Sequence, residues 1–371
     1  MAIQMFRPVY DVEACLEGIR ECLEKGWTGK GYKTVEFENA WKEYTGLPNA
    51  HFLTTGTAAL NLAMETLKEV NGWQDGDEVI STPLTFVATN NCILYAKMKP
   101  VFADVDETLC LDPANVEAKI TERTRAIIFV GMGGNIGHYY DIVALCRKYN
   151  LKLILDAAHM AGTRFNGEFP GKDADAVAFS FHVTKNLSTA ESGVLCFKDA
   201  ALDTIVRNKS FNGISKPEGK SDPALGGYNV CYVADAYNGN SIMASIALAQ
   251  LAHLDEENEI RRKIAAEYDA TFANNDKIKL VSIPEGCESA RWLYQIIVED
   301  RNGLMDYLKS KSIDCGVHYP VNTLYKMYAE QRGLCPNAEH LSAHLLTLPL
   351  HVLLKKEDID FITESVNAYL K

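Results

Sequence analysis

Lys185 stands in the run Phe179-Ser180-Phe181-His182-Val183-Thr184-Lys185-Asn186, where an apolar strand gives way to a turn. Such surroundings disfavour an ammonium, which frees the amine to act as a nucleophile and form a Schiff base. A lone lysine otherwise reads as a solvated surface charge. Asp156 ends an apolar run in Leu155-Asp156-Ala157-Ala158-His159. A carboxylate so placed lies near the interior and requires a cationic partner. A protonated heterocycle nitrogen is one such partner; a helix N-cap is the other reading of the same acid. His159 alone reads as a structural histidine.

Two further segments follow strand-like runs and open helices. In Thr54-Thr55-Gly56-Thr57-Ala58-Ala59, Gly56 lets the backbone turn and Thr57 begins the helix. Free amides, the helix dipole and the Thr57 hydroxyl would hold an anion there, although an ordinary cap accounts for the same residues. In Thr82-Pro83-Leu84-Thr85-Phe86, Phe86 is placed either to stack on a planar ligand or to fill the core. The combination is more specific than its parts. An anion cup with Ser180 nearby, an aromatic face, a buried acid and a lysine are what a pyridoxal phosphate site requires.

These segments need a scaffold that brings strand ends together. Strand-like runs occur at 50–54, 78–81, 101–104, 126–130, 151–155, 176–181 and 193–197, and helical patterns separate the first five. That alternation predicts a mostly parallel seven-stranded sheet covered on both faces, with ligands at the carboxyl ends of its strands. Two amphipathic helices, 12–25 and 34–44, precede it. The stretch 207–240, rich in Gly, Asn, Ser and Pro, reads as irregular. A single long helix over 241–272 is expected next, then a smaller α+β region with strands at 277–283 and 292–298 and helices near 304–309 and 356–370. The predicted organisation is a large domain over 1–240, including the N-terminal helices, and a small C-terminal domain over 241–371.

Composition narrows the function. The 371 residues carry 37 Lys and Arg against 49 Asp and Glu, a net charge of −12, which argues against nucleic acid and anionic membranes as partners. No apolar run is long enough to span a bilayer and the first ten residues do not read as an export signal, so a cytoplasmic location is expected. The ten cysteines include no Cys-x-x-Cys pair, and no helix is expected to carry paired metal ligands, so no metal is anticipated. The nearest approach to a dinucleotide motif, Gly131-Met132-Gly133-Gly134-Asn135-Ile136, lacks the third glycine.

On these motifs the chain resembles, over nearly its whole length, the sugar-nucleotide aminotransferases of the DegT/DnrJ/EryC1/StrS family. The resemblance implies the type I pyridoxal phosphate-dependent fold, with Lys185 and Asp156 as catalytic residues and Gly56, Thr57, Phe86, His159 and Ser180 around the cofactor. Gly26-Trp27-Thr28-Gly29-Lys30-Gly31 is similar to the family's substrate loop, and His318-Tyr319-Pro320 to a C-terminal motif near the sugar nucleotide. Thr28, Lys30, His318 and Tyr319 are therefore the implied substrate contacts. Leu348-Pro349-Leu350-His351 matches a second C-terminal motif.

The resemblance also implies a homodimer with its active site at the subunit interface, Asn238 reaching the neighbouring cofactor and Asn229 standing as second choice. The implied reaction moves an amino group, by ping-pong kinetics, from an amino acid, L-glutamate, to a nucleotide-linked keto-deoxysugar, with a 4-keto acceptor favoured over a 3-keto one. An amino-acid aminotransferase and a catalytically silent binding protein on the same fold are the alternatives; lysine at 185, where dehydratases of the family carry histidine, disfavours a dehydratase. The chain departs from the family pattern at Ala190-Glu191-Ser192-Gly193, at Ala236-Tyr237-Asn238-Gly239-Asn240-Ser241 and at Gly131-Met132-Gly133-Gly134-Asn135.

Overall fold

The computed structural model describes residues 2–215 and 228–371. The predicted sheet is present with seven strands: β1 (His51–Leu53), β2 (Glu78–Ser81), β3 (Lys99–Phe102), β4 (Thr124–Val130), β5 (Lys152–Asp156), β6 (Ala176–Ser180) and β7 (Gly193–Phe197). Their order is β1-β7-β6-β5-β4-β2-β3. Strands β3, β2, β4, β5 and β6 pair in parallel, and β7 runs antiparallel to both β6 and β1. Six carboxyl ends therefore open on one edge.

The central strands are continuously apolar because both sheet faces are covered. Along β4, Ile127 and Phe129 enter one apolar core while Ala126 and Ile128 enter the other. Helices α1 (Val12–Glu24) and α2 (Tyr32–Thr45) precede the sheet. Buried Phe37 and Trp41 of α2 join the first core, together with Ile142 of α6 (Tyr139–Tyr149). Helices α3 (Gly56–Val70) and α4 (Ala88–Tyr95) cover the other face through Ala59, Leu62, Cys92 and Ile93. Short α5 (Pro113–Lys119) and α7 (Asp203–Lys209) complete this part. Helix α7 falls partly in the stretch expected to be irregular.

The long helix expected over 241–272 is two helices, α8 (Ser241–Leu251) and α9 (Leu254–Phe272). Helix α8 is apolar on all sides, and its Ala244 and Ala247 belong to the large-sheet core. Gln250 explains where it stops: its side chain accepts from the Asp11 amide at 3.2 Å and donates to the Val9 carbonyl at 2.7 Å, fastening the helix end to the N-terminal segment. Helix α9 restarts with Asp255, Glu256 and Glu257 in its first turn, where the helix dipole favours acids. A third core begins in α9 with Ile264, Ala265 and Tyr268. It is closed by a three-stranded sheet, β8 (Lys279–Leu280), β9 (Tyr294–Ile297) and β10 (Leu345–Leu348), and by α10 (Arg301–Ser310) and α12 (Lys356–Tyr369). Strand β8 is much shorter than expected, and β10 with the preceding α11 (Pro336–His344) was not foreseen.

Candidate active site

The carboxyl ends of β5 and β6, the start of α3 and the segment around residue 319 enclose a cavity of about 490 Å³. Gly56, Thr57, Phe86, Asp156, His159, Ser180, Lys185, His318 and Tyr319 all line it. They come from five chain segments up to 263 residues apart, from Gly56 to Tyr319.

The anion cup differs in detail from the sequence expectation. Thr55, not Thr57, caps α3: its Oγ1 accepts from the Ala58 amide at 2.9 Å. Thr57 thus keeps its hydroxyl for the cavity. The need for glycine at 56 comes from close approach rather than a tight turn. A Cβ there would lie 2.7 Å from the Ser180 Cβ, and one on Gly193 would lie 2.7 Å from the Gly56 nitrogen. Gly56→Ala is expected to lose about 1–3 kcal/mol of stability through overpacking and to weaken pyridoxal phosphate binding at least about tenfold. Thermal unfolding and cofactor titration check this; unchanged affinity would contradict the cup.

Asp156 is buried at the end of β5. Its Oδ2 accepts from the Thr89 hydroxyl at 2.7 Å and its Oδ1 from the Ala158 amide at 3.1 Å. Because Thr89 donates to the acid, its oxygen accepts from Thr85, 2.9 Å away. Both donors to the carboxylate are neutral, so burial dominates and raises its pKa. Lys185 is half-buried, and its amine is enclosed by protein. Burial pulls its pKa down to about 7, against the opposing pull of Asp156. Relative to an ordinary lysine, the neutral amine at pH 7 is enriched by about 10³.

His159 is also buried, and desolvation, then Lys185 and His318, hold its pKa well below normal. The Gly133 amide donates to its Nδ1 at 3.3 Å, which leaves the proton on Nε2. That nitrogen faces the Tyr319 hydroxyl at 3.3 Å, so the phenol proton is free to point into the cavity. Desolvation and then Lys185 bring His318 to about 4, and its Nδ1 meets the Thr347 hydroxyl at 3.0 Å. Paired bonds between Gly316 and Thr347 tie the His318 segment to β10. Phe86 is 54% exposed, so it is not the core aromatic of the alternative reading; its ring lies 5.8 Å from that of Tyr319.

Three expected residues are not on the cavity wall. Thr28 and Lys30 lie in the loop before α2; the Thr28 carbonyl accepts from the Ser241 amide, and burial lowers the pKa of the Lys30 ammonium near Glu38 and Arg207. Asn238 bridges Leu53 at the sheet edge and its amide donates to the Ser210 carbonyl. Exposed Asn229 pairs with half-buried Ser215 in a two-residue ladder, and Gly227, two positions before it, lies outside the described residues.

Sequence reasoning missed Phe6, Thr89, His182, Glu191 and Trp292, all on the cavity wall. Thr85 and Thr89, four apart, carried a helical signal; Phe6 and Trp292 carried none. It also passed over His340 and His344, one turn apart on α11 with rings 4.1 Å apart. Among the described residues no three His, Cys, Asp or Glu side chains gather to hold a metal. None of the described helices is long and apolar enough to cross a membrane.

The residues present fit pyridoxal phosphate. At the start of α3, Gly56 and Thr57 line the cavity beside Ser180, so close that a Cβ at position 56 would collide with the Ser180 side chain. In the same cavity the buried Asp156 carboxylate has no cationic hydrogen-bond partner among the described residues. Lys185 lines the same cavity, its amine desolvated. A phosphate, a protonated ring nitrogen and an aldehyde answer these three.

The profile of the DegT/DnrJ/EryC1/StrS aminotransferase family matches residues 10–367. The chain is 32% identical over 370 residues to the spore coat polysaccharide biosynthesis protein SpsC of Bacillus subtilis, covering 96% of this chain and 94% of that one. Among solved structures it is similar to Helicobacter pylori PseC, an aminotransferase involved in the biosynthesis of pseudoaminic acid, with a TM-score of 0.92 and 26% identity over 100% of this chain and 99% of that one. It is also similar to the putative sugar aminotransferase Spr1654 of Streptococcus pneumoniae, solved in PLP and PMP forms. The PLP form has a TM-score of 0.89 at 28% identity, covering 99% of this chain and 98% of that one.

Proposed function

Since the chain belongs to the DegT/DnrJ/EryC1/StrS aminotransferase family and is a pyridoxal phosphate-dependent aminotransferase, we propose that it moves an amino group from L-glutamate to a nucleotide-linked keto-deoxysugar, at C4. The observation that carries this reading is the enclosure of Lys185 and Asp156 in one cavity with the Gly56 and Ser180 cup. The names of SpsC and PseC support a sugar acceptor and a place in polysaccharide biosynthesis.

When bound, pyridoxal phosphate supplies an electron-accepting ring that acidifies the α-proton of the amino donor. The Ser180 hydroxyl and the amides of Gly56 and Thr57 hold its phosphate. Asp156 keeps a proton on the ring nitrogen, and the Thr85–Thr89 relay fixes that carboxylate in place. Phe86 and His159 border the ring. The Lys185 amine, about half neutral near pH 7, would take the α-proton of the donor and pass it to the cofactor's C4′ carbon, and in the second half would carry a proton from that carbon to the sugar carbon. His318 and Tyr319 meet the sugar nucleotide, with Tyr319 donating its free phenol proton.

Thr28, Lys30 and Asn238, away from this cavity within one chain, serve the site of a partner subunit in a homodimer. Asn238→Ala is then expected to weaken cofactor binding while leaving the fold intact, and sedimentation should show a dimer. A fully active monomer would remove these three roles. The substrate reading is tested by offering 4-keto and 3-keto sugar nucleotides with L-glutamate and following 2-oxoglutarate release. Turnover confined to the 4-keto acceptors is expected; turnover only with 2-oxo acids would make the enzyme an amino-acid aminotransferase.

A further inference from the structure

Trp292 lies just before β9, outside the motifs that mark the site, yet it contacts the lysine, the lysine's loop and several neighbouring rings. The Lys185 Nζ lies 3.3 Å from the centroid of its ring. Its indole N–H donates to the Thr184 carbonyl at 2.7 Å, pinning the ring to the lysine's own loop. The ring stacks on His159 at 3.9 Å and on Phe6 at 5.7 Å, and His318 meets it edge-on at 5.7 Å. It is 3% exposed. The partners of Asp156 are the Thr89 hydroxyl and the Ala158 amide, so the ring, rather than the carboxylate, receives the ammonium.

We propose that Trp292 is a positioning residue whose indole face is the resting seat of the Lys185 amine, holding it against the cavity wall and clear of Asp156. The negative face of an indole attracts an ammonium most strongly where water is excluded, as here. Parked there, the amine leaves the carboxylate free for a cationic ring. This rests on Lys185 being the reactive amine.

The other groups facing the lysine do not supply a rival seat. Asp156 attracts it from the end of β5. His159 and His318, both held well below their usual pKa, are neutral at pH 7 and pack on Trp292 rather than on the amine. Burial raises the pKa of Tyr319, which keeps it neutral as well. His182 and Glu191 face each other at the mouth of the cavity.

The test weakens the face of the ring without changing its shape. Full-length, cofactor-free protein is prepared with ordinary tryptophan and with trifluorotryptophan, whose fluorines withdraw charge from the ring. Acetylation of Lys185 by acetic anhydride is followed across pH by peptide mass spectrometry. Fluorination is expected to lower the midpoint by several tenths to about one pH unit, because it removes support for the charged form. The chain has four tryptophans, so the same comparison in Trp292→Phe, which keeps an aromatic ring in the site, isolates the one that matters. There fluorination should no longer move the midpoint. An unchanged or higher midpoint in the fluorinated parent, or an equal shift in Trp292→Phe, overturns the proposal. Failure to bind pyridoxal phosphate would sink the proposed function and leave this profile readable.

Discussion

Replacing Lys185 with alanine is expected to lower transamination by about 10⁴-fold or more, to the limit of detection, because among the described residues no other amine lines the cavity to take the α-proton. The fold should survive. Measurable turnover in this variant would remove the lysine assignment. A second readout separates chemistry from folding. In the folded protein the Lys185 pKa lies below its unfolded value of 10.5, at about 7. The protonated form is therefore penalised by folding, and the penalty is absent above the unfolded pKa and complete below the folded one. Lys185→Met, which fills the same space without a charge, should stabilise the cofactor-free protein. The gain should appear as pH falls below about 10 and level off below about 7, reaching roughly 1–2 kcal/mol. Unfolding curves at several pH values check the sign.

Asp156→Asn is expected to cut turnover by roughly two to four orders of magnitude, because an amide cannot hold a proton on the ring nitrogen as a carboxylate does. A near wild-type rate would show that another group does so. The same substitution removes the one charge among the described residues that raises the Lys185 pKa. The amine should then titrate below about 7, so its labelling midpoint moves to lower pH even as catalysis fails. A merely structural loss would reduce turnover without that acid shift.

The sheet was legible because both of its faces are buried and its strands are short apolar runs; all seven lie within a few residues of where the pattern put them. Lys185, Asp156, Gly56 and Ser180 were legible because each sits where a strand ends, and parallel strands bring such ends together. Local pattern could not show that α8 ends at Leu251, since Gln250 is fixed by residues 9 and 11, which are 239 or more positions away. Nor could it show Phe6, which a bridge between Ile3 and Ile313 carries to the cavity. Trp292 read as the start of a strand, and only packing reveals that its face meets Lys185. Thr55 displaced Thr57 as the cap because helices begin within a residue or two of where spacing puts them.

The measurement closest to the centre of these conclusions is the visible absorption spectrum of the purified protein with pyridoxal phosphate, before and after L-glutamate. A yellow protein whose visible band disappears on adding glutamate is the expected result, and it would establish cofactor, lysine and donor together. A protein that stays colourless after incubation with pyridoxal phosphate would contradict the assignment of Lys185 and the aminotransferase reaction built on it.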